Sequence, residues 1–352
     1  MLKLQAAAVG RRKQQNVELI QFLVLISLLC VIMMFLLLVP CAIKSHPPQE
    51  NSDYILTQTQ MEDMELEMKR RQQTVMRQCH NTGDDGTKSK LHASRLLKVV
   101  TKLFVEKKRK LVWCPVYKAG STTWMEIFAI IGGVMTPENR IRLSKGLIQM
   151  NQLARMVYPK TKDANTTVKF LAKSTRFIIV RHPFERILSA YRDKLEHRKG
   201  REFYYRRYGR HIVRSQREDN DTFVDRAEPT FVEFLHYLVK TKTFDEHWRP
   251  FTAECAPCEL NYQIILKMET LEEEQLFLAT KLNLLDALLT VNSTGLLLHN
   301  TNPNGRTEHN YAQQYYRDVP NQLLQDVYML YEKDFRLFDY SPEEYFNFAK
   351  MT

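Results

Sequence analysis

The sequence predicts an α/β fold: a mostly parallel sheet flanked by helices, preceded by one transmembrane helix. Three observations carry that prediction. Short apolar runs alternate with helical stripes along residues 91–352, the pattern of strands that share a sheet and helices that cover it. Two of the strand-to-helix junctions hold cationic and hydroxyl residues, and ligands of open parallel sheets sit beyond the carboxyl ends of the strands. Near the N-terminus a single uncharged run of 22 residues extends from Phe22 to Ile43.

That run exceeds the roughly 20 residues a helix needs to cross the hydrocarbon core. Arg11, Arg12 and Lys13 precede it, and only Lys44 follows closely, which places the N-terminal side in the cytoplasm. A cleaved signal peptide has a shorter apolar core, about 7–15 residues, and a small-residue cleavage site. The expectation is therefore a cytoplasmic tail over 1–18, an uncleaved anchor over 19–43, and everything beyond outside the cytosol. Residues 44–90 read as a stem: HPPQENSD is linker-like, MEDMELEMKRRQQTVMRQ is helix-prone and charged, and Asn81–Lys90 is loop. Met61, Met64 and Met68 fall at helical spacing, so the stem helix reads as solvated or as a short homodimer contact.

The folded domain is expected over 91–352. Leu111–Val116 follows the basic EKKRK and has strand length and composition. Trp124–Ile131 reads as a buried helix, and Phe177–Val180 as the next strand. Phe184, Ile187, Leu188, Tyr191 and Leu195 then form a one-sided helical stripe. Phe231–Val239 is a shorter stripe. Tyr262–Lys267 is a third strand, with a Glu/Leu-rich helix from about Leu271 and a late helix over Leu323–Tyr331.

Composition excludes a mainly disordered chain and a disulfide mini-protein: 44% of the residues are hydrophobic, and there are six Cys in 352 residues. Cys79, Cys114, Cys255 and Cys258 can pair in an oxidising compartment. Cys255-Ala-Pro-Cys258 has metal-ligand or redox spacing, but no second pair completes a zinc site, so no metal is expected. Asn165, Asn220 and Asn292 each begin an N-x-S/T sequon, open to glycosylation on the lumenal side.

The first junction is Tyr117-Lys118-Ala119-Gly120-Ser121-Thr122-Thr123-Trp124. Small and hydroxyl residues allow close backbone approach, and free N–H groups at a helix start can surround an anion. It is not GxxxxGK[ST], which disfavours a nucleoside-triphosphate-hydrolysing loop. The second junction is Arg181-His182-Pro183-Phe184-Glu185-Arg186, leading to Ser189 and Arg192. Arg181 at the strand end can grip a phosphate with both arms of its fork. Two anion sites at neighbouring strand ends suggest one nucleotide with two separate phosphate-like groups.

KAGSTTW resembles the 5′-phosphosulfate-binding loop of sulfotransferases, and VRHPFERILSAYRDKLE resembles their 3′-phosphate-binding segment, with Arg181 and Ser189 in the family's spacing. DEHWRPF, the C-x-x-C before YQIILKMETL and the closing YEKDFRLFDY also resemble the Golgi carbohydrate sulfotransferases that act on chondroitin, dermatan and the natural-killer epitope. The first loop departs from the family's PKVACTNW: Lys118, Thr122 and Trp124 are kept, while Tyr117 and Ser121 stand for Pro and Cys, a difference that bears on the acceptor.

The resemblance implies a single-pass Golgi membrane protein with a lumenal catalytic domain, using 3′-phosphoadenylyl sulfate without a metal. It implies that Lys118 stabilises charge on the transferring group, that Ala119, Gly120, Ser121, Thr122 and Thr123 hold the 5′ end, and that Arg181 and Ser189 hold the 3′-phosphate. Sulfuryl transfer to a sugar hydroxyl needs a general base, most often His. Of His247, His236, His211 and His309, the candidate is His247, with Asp245 or Glu246 to orient it and Trp248 to stack on a sugar.

The net charge is +11, of which residues 1–44 hold +4 and the rest +7. Arg201–Arg217 is densely basic with interleaved aromatics. Lumenal topology excludes nucleic acid as its partner and leaves a glycan, anionic or neutral, with a sulfated or uronic-acid chain matching the patch. Two other readings stay open on the residues: a glycosyltransferase using Asp219-Asn220-Asp221 as a D-x-D signature, and a non-catalytic membrane-tethered lectin.

Overall fold

The computed structural model describes residues 27, 56–81, 96–217, 228–293 and 309–349. No helix among them is long and apolar enough to cross a membrane. Apart from Ser27, the Phe22–Ile43 run lies outside the described residues, as do Asn220 and the Asp219–Asp221 signature.

The centre is a four-stranded sheet in the order β1 (Phe104–Glu106), β2 (Leu111–Cys114), β3 (Thr175–Val180), β4 (Ile264–Lys267). β2, β3 and β4 run parallel, with Cys114 opposite Ile178 and Ile178 opposite Ile265. β1 is an antiparallel edge strand hairpinned onto β2. This is the mixed α/β sheet expected, plus an edge strand too short to show as a sequence run. β2 and the last four residues of β3 are buried throughout, as befits strands covered on both faces.

Helices cover that sheet. α2 (Ser121–Ile131) follows β2 and packs on α3 (Met150–Val157); α4 (Ala164–Leu171) leads back to β3. Trp113, Trp124, Phe128 and Phe177 are buried together, with the Trp124 and Phe177 rings 4.7 Å apart. α5 (Pro183–Lys194) follows β3 and opens with Pro183 at its first position, where the missing N–H costs nothing. The stripe Phe184, Ile187, Leu188, Tyr191 and Leu195 anchors a second apolar cluster with α6 (Phe231–Thr241) and α8 (Asn321–Leu337). α7 (Leu271–Lys281) follows β4, and α9 (Glu343–Phe348) ends the described chain.

One feature differs from the sequence expectation, and a second fills in what the sequence left open. The folded unit begins at Leu56, ahead of the expected boundary at 91. α1 (Gln58–Asn81) buries Met68, Thr74, Val75 and Cys79, and Met61 and Met64 pack against the main core. Arg71 grips Glu274 at 2.7 and 2.9 Å and donates to the Ile265 carbonyl at 2.7 Å. The Met face that would have paired two stems is thus spent inside one chain, which removes the basis for a homodimer through the stem. The second feature is the cysteine pairing. Cys79 bonds Cys258, and Cys114 bonds Cys255, so the two cysteines of the C-x-x-C go to different partners. Among the described residues no group of three or more His, Cys, Asp or Glu could hold a metal ion.

Asn165 is exposed near the start of α4. Asn292 falls in the helix Leu285–Ser293. The basic stretch is helical: Glu202–Tyr204, a π-turn Tyr205–Gly209, then Arg210–Arg214. It buries Tyr205, Tyr208, Ile212 and Val213 and leaves Arg206, Arg207, His211 and Arg214 exposed.

Candidate active site

The β2–α2 loop turns through two left-handed residues, Lys118 at φ 69 and Gly120 at φ 67. Gly120 suits that position on two counts. It has no Cβ to oppose the turn, and an added Cβ would stand 3.1 Å from Leu271 Cδ2. As the N-cap of α2, Gly120 offers no side-chain cap, so the first-turn N–H groups of residues 121–123 have no intrahelical partner. Ala119 and Ser121 are buried, and Thr122 and Thr123 half-buried beside that helix start.

The β3–α5 junction meets this loop directly. Arg181 donates from Nη1 to the Lys118 carbonyl at 3.4 Å and from Nε and Nη2 to Glu185 Oε2, both at 3.2 Å. Arg186, fully buried, donates to the Tyr117 carbonyl at 3.0 Å. Two consecutive loop carbonyls are therefore held by side chains of the second junction. Glu185, Ser189 and Asp193 recur every four residues on α5 and so share one face. At one end of that face Glu185 receives Arg181. At the other, Asp193 Oδ2 receives the Lys118 ammonium at 3.0 Å. Ser189, buried, lies between them in sequence.

Charge at Lys118 is set by opposing effects. Burial pushes its pKa below the ordinary lysine value, and the Asp193 carboxylate works against that. Burial would raise the Asp193 carboxyl, but Lys118, Lys194 and Arg201 outweigh it and hold it well below the usual carboxylate range.

His247 reaches the same region from the loop after α6. Its ring is buried, bonded through Nδ1 to Asp245 Oδ1 at 2.5 Å, and lies 4.6 Å from the Tyr117 ring and 5.5 Å from the Tyr204 ring. Asp245, not Glu246, is the orienting acid. Arg186 fixes this loop too, donating to the carbonyls of Arg249 at 2.6 Å and Glu246 at 3.2 Å. His236 and His211 are exposed.

Several expectations do not survive. Trp248 is not available to a sugar: it is 1% exposed, donates to the Thr243 carbonyl at 3.1 Å and packs between Tyr208 and Phe234. Arg186, buried, is an internal clip. Arg192 is buried over Tyr311, 4.9 Å from the ring. His182 is a structural tie: its backbone N–H bonds Glu269 at 2.7 Å, its Nε2 pairs with the Ser341 carbonyl at 2.9 Å, and its ring stacks on Tyr345. Asp193 is not among the site residues the sequence singled out. Its four-residue offset from Ser189 was the one signal that could have placed it in the site.

The sulfotransferase family model matches residues 101–341. Human carbohydrate sulfotransferase 9 is 28% identical over 260 residues, 71% of this chain and 55% of that protein. Rat carbohydrate sulfotransferase 11 is 28% identical over 258 residues, covering 69% and 68% of the two chains. Human carbohydrate sulfotransferase 10 is 28% identical over 276 residues, covering 74% and 73%. The match thus takes in little more than half of the first relative and about two-thirds or more of the other two. No solved structure gave a significant match. Both strand-end junctions and the His247 loop fall inside the matched span, and this chain belongs to the sulfotransferase family.

Proposed function

We propose that this protein transfers a sulfuryl group from 3′-phosphoadenylyl sulfate, the donor of its family, to a hydroxyl of a glycan. The observation that carries the reading is the contact between the two junctions, Arg181 Nη1 to the Lys118 carbonyl at 3.4 Å. It puts two cationic loops side by side at neighbouring strand ends, where the two phosphate-like ends of one nucleotide can be held together. The residues fit such a group: Gly120 leaves a cradle that a Cβ would narrow, the α2 N-terminus offers uncapped N–H donors, and Lys118 and Arg181 supply positive charge.

When bound, the donor supplies an activated sulfuryl group. The chain's part is positioning and electrostatics, as in phosphoryl transfer. Lys118 stabilises charge that develops on the transferring end. Ala119 to Thr123 hold the 5′ end, and Arg181 and Ser189 the 3′-phosphate. Neutral His247, with Asp245 fixing its ring, accepts the proton of the acceptor hydroxyl at Nε2. The fold is then a P-loop-like variant in which hydroxyls and a preceding lysine replace the GKS/T ending.

The acceptor class follows from charge. Arg206, Arg207, His211 and Arg214 are exposed on the arm whose first turn carries Tyr204 beside His247, which favours an anionic chain such as chondroitin or dermatan. The Phe22–Ile43 run and its basic N-terminal flank support a type II anchor in the Golgi membrane, with a tail over 1–18, glycans at Asn165, Asn220 and Asn292, and a lumenal catalytic domain. Family membership favours this over the glycosyltransferase and lectin readings.

Full-length protein supplied with radiolabelled donor and a panel of glycosaminoglycans should label at least one polymer. Lys118→Ala and Arg181→Ala should each lower the rate about 100-fold or more while melting normally. Labelling of no acceptor, together with no binding of adenosine 3′,5′-bisphosphate, would refute the proposal.

A further inference from the structure

Asp193 stands out because one carboxylate collects three cations. Lys118 Nζ lies 3.0 Å and Lys194 Nζ 3.2 Å from Oδ2, and Arg201 Nη2 lies 2.9 Å from Oδ1. Arg201 Nε also donates to the Asp193 backbone carbonyl at 2.6 Å. The Lys118 and Asp193 side chains are only 17% and 23% exposed, so this is a sheltered pair and not a solvated surface contact. Among the described residues, Asp193 is the acid that pairs with the Lys118 ammonium. The other charged groups that act on it, Lys194 and Arg181, are both positive.

We propose that Asp193 is a positioning residue that holds the Lys118 ammonium, charged and aimed into the loop, until Lys118 exchanges it for the anionic 5′ end of the nucleotide. The inference rests on the sulfotransferase reading and adds the residue that gates its central lysine. The asymmetry of the cluster makes the exchange feasible. A buried carboxylate stripped of its partner costs several kcal/mol, but Asp193 keeps Lys194 and Arg201 when Lys118 leaves. Lys118, by contrast, would sit as a desolvated cation among like charges without either Asp193 or an incoming anion. Asp193 therefore competes with the nucleotide for Lys118, and Arg201 ties that competition to the start of the basic arm.

The test is a double-mutant cycle on nucleotide binding. Calorimetry of the full chain with adenosine 3′,5′-bisphosphate as the probe is run on wild type, Asp193→Asn, Lys118→Met and the double variant. Releasing Lys118 from its competitor should tighten binding about 3- to 10-fold in Asp193→Asn. The same substitution should do nothing in the Lys118→Met background. Asp193→Glu keeps the carboxylate and should bind as wild type does, which separates the charge from the fold. In turnover, Asp193→Asn should lower KM for the donor without raising kcat. Equal tightening in both backgrounds would make Asp193 a general source of negative field and overturn the inference. Unchanged or weakened binding in Asp193→Asn would overturn it as well. Absence of nucleotide binding by the wild type would instead remove the sulfotransferase reading, and this inference with it.

Discussion

At His247 burial and hydrogen bonding pull in opposite directions. Loss of water disfavours the imidazolium and lowers the pKa below the ordinary 6.5, while the bond to Asp245 favours it and restores part of the loss. A base must be neutral to accept a proton, so its rate falls only when the pH drops through its own pKa. The acid limb of kcat should therefore lie below pH 6.5. Asp245→Asn removes the restoring interaction and should move that limb to still lower pH. His247→Gln should abolish it and reduce kcat by about 10²–10⁴-fold, the range for a lost general base. A wild-type kcat and an unmoved limb in His247→Gln, read from pH–rate profiles, would exclude His247 from proton transfer. The sequence made His247 legible because two acids precede it. It could not say that Trp248, next along the chain, turns into the core, since a tryptophan beside a candidate base reads equally as sugar platform or as packing.

Among the elements, α5 does the most. One of its faces packs the second apolar cluster. Another carries Glu185, Ser189 and Asp193, and Arg186 reaches from it to two separate loops. The apolar face was legible as a 3.6-residue stripe. The polar face was not, because charged residues at helical spacing look the same whether they meet solvent or a neighbouring loop. The β2–α2 loop has its own constraint at Gly120. Alanine there must hold φ 67 and press its Cβ to 3.1 Å from Leu271 Cδ2. Gly120→Ala should cost about 1–2 kcal/mol from the left-handed backbone alone, read as a lower denaturant midpoint. It should weaken nucleotide binding more than a surface glycine change such as Gly146→Ala, where nothing lies within 4 Å of the added Cβ. Gly146 holds φ 66 and carries the same backbone cost, so the comparison isolates the Leu271 contact: equal midpoints and equal affinities for the two variants would show that the loop accommodates the added Cβ.

Across the whole molecule, the disulfides decide what counts as folded domain. Cys79–Cys258 spans a sequence separation of 179 and pins α1 beside β4, while Cys114–Cys255 spans 141 and ties the end of β2 to the helix Phe251–Cys255. In the chain-entropy account, closing such long loops removes much freedom from the unfolded state. Replacing Cys79 and Cys258 by Ser should therefore cost roughly 2–5 kcal/mol and lower the melting temperature, and a reducing agent, which opens Cys114–Cys255 as well, should lower it further in the wild type. A melting curve indifferent to both would mean that α1 is held by Arg71 and its apolar contacts alone. The sequence by itself determined the three parallel strands, the two candidate anion-binding junctions and the candidate base, because each is written in a local run of residues whose spacing is fixed by strand and helix geometry. Only the tertiary structure decided the cysteine partners, the docking of α1, the inward turn of Trp248 and the meeting of Asp193 with Lys118. Those depend on which surfaces come together, for the cysteine pairs, α1 and Asp193 across 75 or more residues of chain, and the identity of a charged or half-apolar side chain does not say what it will find there.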